Sequence, residues 1–323
     1  MNIVFFANGT FALPSLDVLQ KNSKYFSIKS VVTNIDKKSG RGQKLKETLI
    51  SKFAKKKSLT IIKIKNFNNK SFINKLKKMN PDIFIVISYR ILPDYIYNIP
   101  KFGSINIHTS ILPEYRGAAP IQRSIMDGKD YLGLTSFFLN KKIDQGNIII
   151  SKKIPIDENI TYGESFEYLS IMAPAFLLET LQNIKNNKKG KKQLNQTTSY
   201  AKKISKDEYC LILDADSKNI HNHIRALSPP GCFIYFNKKK IKLFDSFYNN
   251  DNMKIGTYIY KDGSLHIGCK KGSLIINKLQ FEGKKVISAN DFNNMNFKNS
   301  TIFKSVKWKL LIDIFFHSSF LQF

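Results

Sequence analysis

The sequence predicts an α/β fold: a Rossmann-like parallel-sheet domain followed by a small OB-like β-barrel domain. Three observations lead there. The first half alternates short apolar runs with helical patterns, as repeated βα units do. A polar, lysine-rich stretch then breaks the alternation. Beyond it come short strand-like runs with turn signals and a single helix. A chain of 323 residues suits two domains at roughly 100–200 residues each, and a hydrophobic content of 42% can fill two cores.

In order, residues 3–7, 26–33 and 60–64 read as strands, with helices at 14–20, 48–57 and 70–79 between and after them. Residues 82–88 (DIFIVIS) form an unbroken apolar, β-branched run, the signature of a strand buried on both faces. Strands follow at 103–108, 132–139 and 148–156, with helices at 118–127 and 162–184. Residues 185–206 carry eight lysines and no acidic residue, and read as a basic linker. Strand-like runs at 210–213, 233–236, 240–244, 256–260, 264–269 and 273–279, with a helix at 217–226, make up the rest. The expected limits are 1–184 for the first domain, 185–206 for the linker and 207–323 for the second.

The net charge of +28 suits a polyanionic partner, because phosphates attract Lys and Arg. Yet 47 lysines stand against five arginines, which is equally the mark of compositional drift, and the total alone does not separate the two. Its distribution says more: residues 37–78 hold fifteen Lys/Arg and one acidic residue, Glu47. Cys210, Cys232 and Cys269 are too scattered for a disulfide framework or a metal pair, which fits a reducing cytoplasm. The N-terminus lacks the basic region of a signal peptide. The apolar tail, 306–323, contains Lys307, Lys309, Asp313 and His317, and reads as a packed terminal helix rather than a membrane span.

The densest chemical signal is INIHTSILPEYRGAAPIQRSI, residues 105–125. Residues two apart on a strand share a face, so Asn106 and His108 project together at a strand's end. A histidine moves protons near neutral pH, and an uncharged carboxamide NH₂ can stabilise a developing oxyanion. Asp144, in the tight loop Lys142-Ile143-Asp144-Gln145-Gly146-Asn147, can reach a neighbouring strand end. Each also has an ordinary structural reading: a strand-end histidine satisfied by neighbours, and an aspartate that forms a turn.

Together, Asn106-x-His108, Ser110-Ile111-Leu112-Pro113, Arg116-Gly117-Ala118-Ala119-Pro120 and Asp144-x-Gly146 resemble the motif of the folate-dependent formyltransferases. The likeness is strongest to the branch acting on charged initiator tRNA. Ser39-Gly40-Arg41-Gly42-Gln43-Lys44-Leu45 resembles that branch's loop against the acceptor arm. The stretches beginning Tyr200-Ala201 and Leu279-Gln280 resemble segments of its C-terminal domain.

The resemblance implies a formyltransferase domain that passes the formyl group of 10-formyltetrahydrofolate to the methionine amine of initiator Met-tRNA, without a metal. Asn106 and protonated His108 would stabilise the tetrahedral oxyanion, and Asp144 would orient His108 and favour its charged form. Ser110, Ile111, Leu112 and Pro113, with Ile87, Ser88 and Tyr89, would line the folate pocket. Arg41, Gly42 and Lys44 would meet the tRNA. The expected protein is a monomer without a membrane anchor.

Three stretches depart from the family pattern. Phe6-Ala7-Asn8-Gly9-Thr10-Phe11-Ala12 is one residue short and lacks its proline. Ser88-Tyr89-Arg90-Ile91-Leu92-Pro93 is shorter than the usual Ala-Tyr-Gly-x-x-Leu-Pro, and Arg225-Ala226-Leu227-Ser228-Pro229-Pro230-Gly231 lacks a tryptophan. The alternatives are a sister enzyme acting on an amino sugar nucleotide or glycinamide ribonucleotide, and an inactive RNA-binding derivative.

Overall fold

The computed structural model describes residues 1–39, 43–187, 189–194, 199–297 and 302–304. The chain divides into two compact units. The first takes in 1–120, 131–155 and 165–201; the second takes in 121–130, 156–164 and 202 onward. The expected terminal helix at 306–323 lies outside the described residues.

In chain order the first half runs β1 (Asn2–Ala7), α1 (Leu13–Lys21), β2 (Ser27–Asn34), β3 (Lys37–Ser39), β4 (Lys44–Lys46), α2 (Leu49–Lys56), β5 (Ile61–Ile64), α3 (Lys70–Lys78) and β6 (Ile83–Ile87). It continues with α4 (Asp94–Tyr97), β7 (Ser104–His108), β8 (Arg116–Gly117), α5 (Pro120–Met126), β9 (Tyr131–Phe138), β10 (Ile148–Pro155), α6 (Tyr162–Lys185) and β11 (Tyr200–Ala201). Helix starts follow capping chemistry: Thr48 accepts from Ser51 N at the head of α2, and Asn69 from Phe72 N at the head of α3.

The sheet of the first unit has the order β10-β9-β7-β6-β1-β2-β5. All five residues of β6 are buried, and β1 is buried from Ile3 onward, as central strands covered on both faces must be. Strands β7, β6, β1, β2 and β5 are parallel, but β9 runs antiparallel to β7 and β10 antiparallel to β9. A parallel return needs a crossover across the sheet. Between β7 and β9 lie only the two-residue β8 and the seven-residue α5, and β9 comes back the other way. The strand order turns at β1 and β6, and ligands of open α/β sheets bind beyond the carboxyl ends at such a point.

The second unit contains α7 (Ser217–Ala226), β12 (Cys232–Phe236), β13 (Lys239–Asn249), β14 (Tyr258–Lys261), β15 (Ser264–Gly268), β16 (Ser273–Phe281), β17 (Val286–Ser288), α8 (Ala289–Asn293) and β18 (Phe303–Lys304). Its antiparallel sheet has the order β14-β15-β16-β13-β12-β18, with β17 added on β16. The sheet curls: Phe303 N on one end strand donates to Gly256 O, just before the other end strand, at 2.8 Å. A Cβ on Gly256 would stand 2.3 Å from Phe303 O, so this near-closure requires glycine. Tyr258, Phe292, Phe297 and Phe303 pack edge-on or tilted around Phe236 inside it. Among the described residues no helix is long and apolar enough to cross a membrane.

His221 on α7 is buried in this unit, its Nδ1 3.0 Å from Ser246 Oγ. Burial first, and the nearby Arg225 charge second, push its pKa down from the ordinary 6.5 to about 4. The folded unit therefore excludes a proton that the unfolded chain accepts, so stability is full above pH 6.5 and is lost as pH falls toward 4. Between pH 7.5 and 5 the loss is about 2 kcal/mol. Denaturant titrations followed by circular dichroism should show this loss, and His221→Gln should remove most of it. Equal pH dependence in both proteins would contradict the assignment.

Candidate active site

Asn106 and His108 stand on the same face at the carboxyl end of β7, as their spacing predicts. His108 is 7% exposed, and its Nε2 lies 2.8 Å from Tyr115 O. A carbonyl only accepts, so Nε2 carries the hydrogen of this bond. The ring is thereby fixed with Nδ1 toward Asp144, whose Oδ2 is 3.9 Å away. That separation is too long for a hydrogen bond in this state, but it is short enough for strong attraction once Nδ1 gains a proton.

Asp144 is held from two sides. Its Oδ2 accepts from Gly117 N at 2.9 Å, and its own carbonyl accepts from Gln193 Nε2 at 2.9 Å. Its backbone is left-handed, with φ of +53°. Two residues on, Gly146 passes so close to β9 that a Cβ would lie 1.5 Å from Phe138 O. Gly117 has the same necessity for a different reason: its φ is +123°, and a Cβ would meet Ala201 O at 2.6 Å.

The loop between β7 and β8 is tied down by its own polar groups. Thr135 Oγ1 donates to Ser110 O at 2.7 Å and accepts from Leu112 N at 3.2 Å, while Ser110 Oγ donates to Glu114 O at 2.7 Å. Gly133 makes room for it, since a Cβ there would sit 2.4 Å from the Ile111 side chain. Arg116 is buried, and Gln193 Oε1 accepts from both its Nε and its Nη2, at 3.1 and 2.6 Å. Burial lowers the pKa of the Arg116 guanidinium, and the Asp144 carboxylate opposes that shift.

A cavity of about 670 Å³ opens beside these groups. Asn106, His108 and Asp144 all line it, with Ser88, Tyr89, Arg90 and Leu92 beyond β6, Phe11 beyond β1, and Phe137, Leu139 and the 140–143 loop. Ser110, Ile111, Leu112 and Pro113 are not among its lining residues, and neither is Ile87, which is wholly buried in β6. Ser88 is exposed with φ of +50°. Tyr89 is half-buried, and burial pushes its phenol pKa up. Arg41 and Gly42 lie outside the described residues, as does the Lys44 side chain; Lys44 itself begins β4.

Gln193 and Ser199 escaped the sequence reading, although Ser199 Oγ accepts from Tyr115 N at 2.9 Å. Both lie in the stretch read as linker, where Tyr200 and Ala201 also pair in parallel with Arg116 and Gly117. A signal was available in the pair Tyr200-Ala201 within a mostly polar run.

Family models for formyl transferase and for the formyl transferase C-terminal domain match residues 1–181 and 203–296. A methionyl-tRNA formyltransferase of Caldicellulosiruptor saccharolyticus is 37% identical over 304 residues, covering 91% of this chain and 96% of the relative. One from Syntrophomonas wolfei is 34% identical, covering 90% and 95%. Among solved structures, the sugar 3N-formyl transferase WlaRD superposes with a TM-score of 0.64 at 24% identity, covering 88% of this chain and 99% of that one. The methionyl-tRNA formyltransferase of Clostridium thermocellum does so with a TM-score of 0.55 at 18% identity, covering 85% and 98%. The match to both family models spans most of the chain, and the protein belongs to the formyl transferase family.

Proposed function

We propose that the protein transfers the formyl group of 10-formyltetrahydrofolate to the α-amine of methionine on initiator Met-tRNA, serving translation initiation in the cytoplasm. The observation that carries this reading is the convergence of Asn106, His108 and Asp144 on one cavity, in a chain whose relatives of matching length are methionyl-tRNA formyltransferases. The likeness to sugar formyl transferases is one of fold, whereas these relatives share a third of their residues with the chain across its length.

The cavity fits a folate. Its volume falls within the roughly 300–1,000 Å³ of small-molecule sites. Val86, Leu92, Ile107, Phe137 and Leu139 offer apolar walls for a flat ring system. Tyr89 Oη and Arg90 Nε are buried without a hydrogen-bond partner among the described residues, and both residues line the cavity. A ligand rich in ring nitrogens and carbonyls would satisfy them. Of the lining proposed from sequence, Ser88 and Tyr89 have this support. Ser110, Ile111, Leu112 and Pro113 act instead as the scaffold behind His108.

Asn106 offers a neutral donor where negative charge develops on the formyl oxygen as the amine attacks. His108, protonated at Nδ1, offers a second, and Asp144 stabilises that charged ring. With Nε2 committed to Tyr115 O, Nδ1 is the atom that takes up and returns the proton. The formyl group arrives activated, so orientation and electrostatics supply the catalysis.

Residues 1–184 are the proposed catalytic domain, 185–206 a basic linker, and 207–323 a tRNA-binding domain, in a monomer. Arg41, Gly42 and Lys44 are the proposed contacts to the acceptor arm. Incubation with 10-formyltetrahydrofolate and charged initiator tRNA should yield formylmethionyl-tRNA, and no product at stoichiometric enzyme would sink the reading. Transfer to an amino sugar nucleotide alone would favour the sister activity. Arg41→Ala should raise KM for charged tRNA about tenfold, the size of one lost charge-assisted contact. Its KM for the folate should not move.

A further inference from the structure

We infer that Gln193 is a positioning residue of the active site, setting the place of Asp144 and the direction of the Arg116 charge. This rests on the function proposed above. Gln193 belongs to no helix or strand, yet it is 7% exposed and all its hydrogen-bonding capacity meets the site. Oε1 accepts from Arg116 Nε and Nη2, and Nε2 donates to Asp144 O and Gly146 O at 2.9 and 2.8 Å. Arg116 is followed by Gly117, whose N–H donates to Asp144 Oδ2. The contacts close a ring running from Gln193 through Arg116 and Gly117 to Asp144 and back.

Two physical reasons single out glutamine. Asp144 has a left-handed backbone, which a residue with a side chain keeps more firmly where neighbours hold it. The two donations from Nε2 do so, because they fix the carbonyls at 144 and 146 that define the turn. The second reason is charge. A carboxylate at 193 would neutralise buried Arg116, whereas a neutral carboxamide leaves the guanidinium free to act on Asp144. The raising influence of Asp144 on the Arg116 pKa is that interaction seen from the other partner. Gln193 does not line the cavity, so it acts on the reaction through Asp144 and not by touching the substrate.

The test is amide hydrogen exchange at Gly117 followed by NMR, wild type against Gln193→Met. It needs no substrate, so its outcome stays separate from that of the formylation assay. Methionine keeps the volume and deletes all four hydrogen bonds. Asp144 should then drift from Gly117 N, and the Gly117 amide, which donates to Asp144 Oδ2, should exchange about tenfold faster or more. In the active enzyme kcat should fall about tenfold or more, with both KM values within about threefold. Gln193→Glu retains the acceptors for Arg116 while removing both donors to the loop. It should show the same fall in kcat, and it serves as the readout where Gln193→Met does not fold. Unchanged exchange at the Gly117 amide, or a loss of stability with kcat per folded molecule intact, overturns the inference.

Discussion

His108→Ala is expected to lower kcat for formyl transfer by about a hundredfold to ten-thousandfold, the range of a lost general acid–base group. The size follows from how little else at the cavity can do the work. Asn106 remains as a neutral donor, but no other titratable ring lies at the end of β7, and Asp144 cannot replace a cation. Binding should be nearly untouched. His108 is buried at the cavity wall, and the Tyr115 carbonyl it releases can be met by water in the space the ring leaves. KM for either substrate should therefore change less than about threefold. Asp144→Asn is the companion experiment. The carboxamide oxygen can still accept from Gly117 N, so the loop stays in place while the charge facing Nδ1 disappears. Rapid-quench measurement of a single turnover isolates the chemical step; a His108→Ala enzyme within tenfold of wild type would remove the imidazole from the mechanism.

Gly146→Ala should be as damaging to activity and far more so to stability than an exchange of one hydrogen for a methyl suggests. The new carbon would fall 1.5 Å from Phe138 O, a backbone atom that cannot rotate away. Relief requires β9 and β10 to part where they begin to pair, at the bond from Phe138 N to Asn147 O. The donation from Gln193 to Gly146 O goes with it, and so does the turn that carries Asp144. A cost of roughly 3 kcal/mol or more is the scale for forced backbone rearrangement. Thermal unfolding followed by circular dichroism, with kcat measured on the remaining folded protein, would show both losses. A variant with wild-type melting behaviour would mean that the loop has another conformation open to it.

The sequence made the core strands and two site residues easy to read, for physical reasons. β1 and β6 are buried on both faces and therefore appear as unbroken apolar runs. Asn106 and His108 sit two apart on a strand, a spacing that fixes their common side. Gly146 marked the Asp144 loop because glycine in a short turn is visible in one dimension. The direction of β9 was not legible, since nothing in the short connection before it marks which way the strand returns. Nor was the orientation of the 110–113 loop: Ser110 and Pro113 announce a turn, but not which side faces a cavity. Gln193 was hidden most deeply. A polar residue in a polar, lysine-rich run gains its meaning only from partners 49 and 77 positions away.

The arginines of this chain hold one more consequence. The four that the structure describes all use the flat, forked shape of the guanidinium. Arg116 grips Gln193 with two nitrogens, and Arg123 spans both oxygens of Glu208. Arg225 reaches Asn222, Ile160 and Ile125, while Arg90 lies over the Phe67 ring and binds the carbonyls of Ile64 and Lys65. None of these places can be filled by a point charge on a flexible stem. In a protein with 47 lysines and five arginines, the choice between the two basic residues thus becomes a geometric record. Engineering that exchanges arginine for lysine on the surface of ordinary proteins with impunity should fail here at every one of the four.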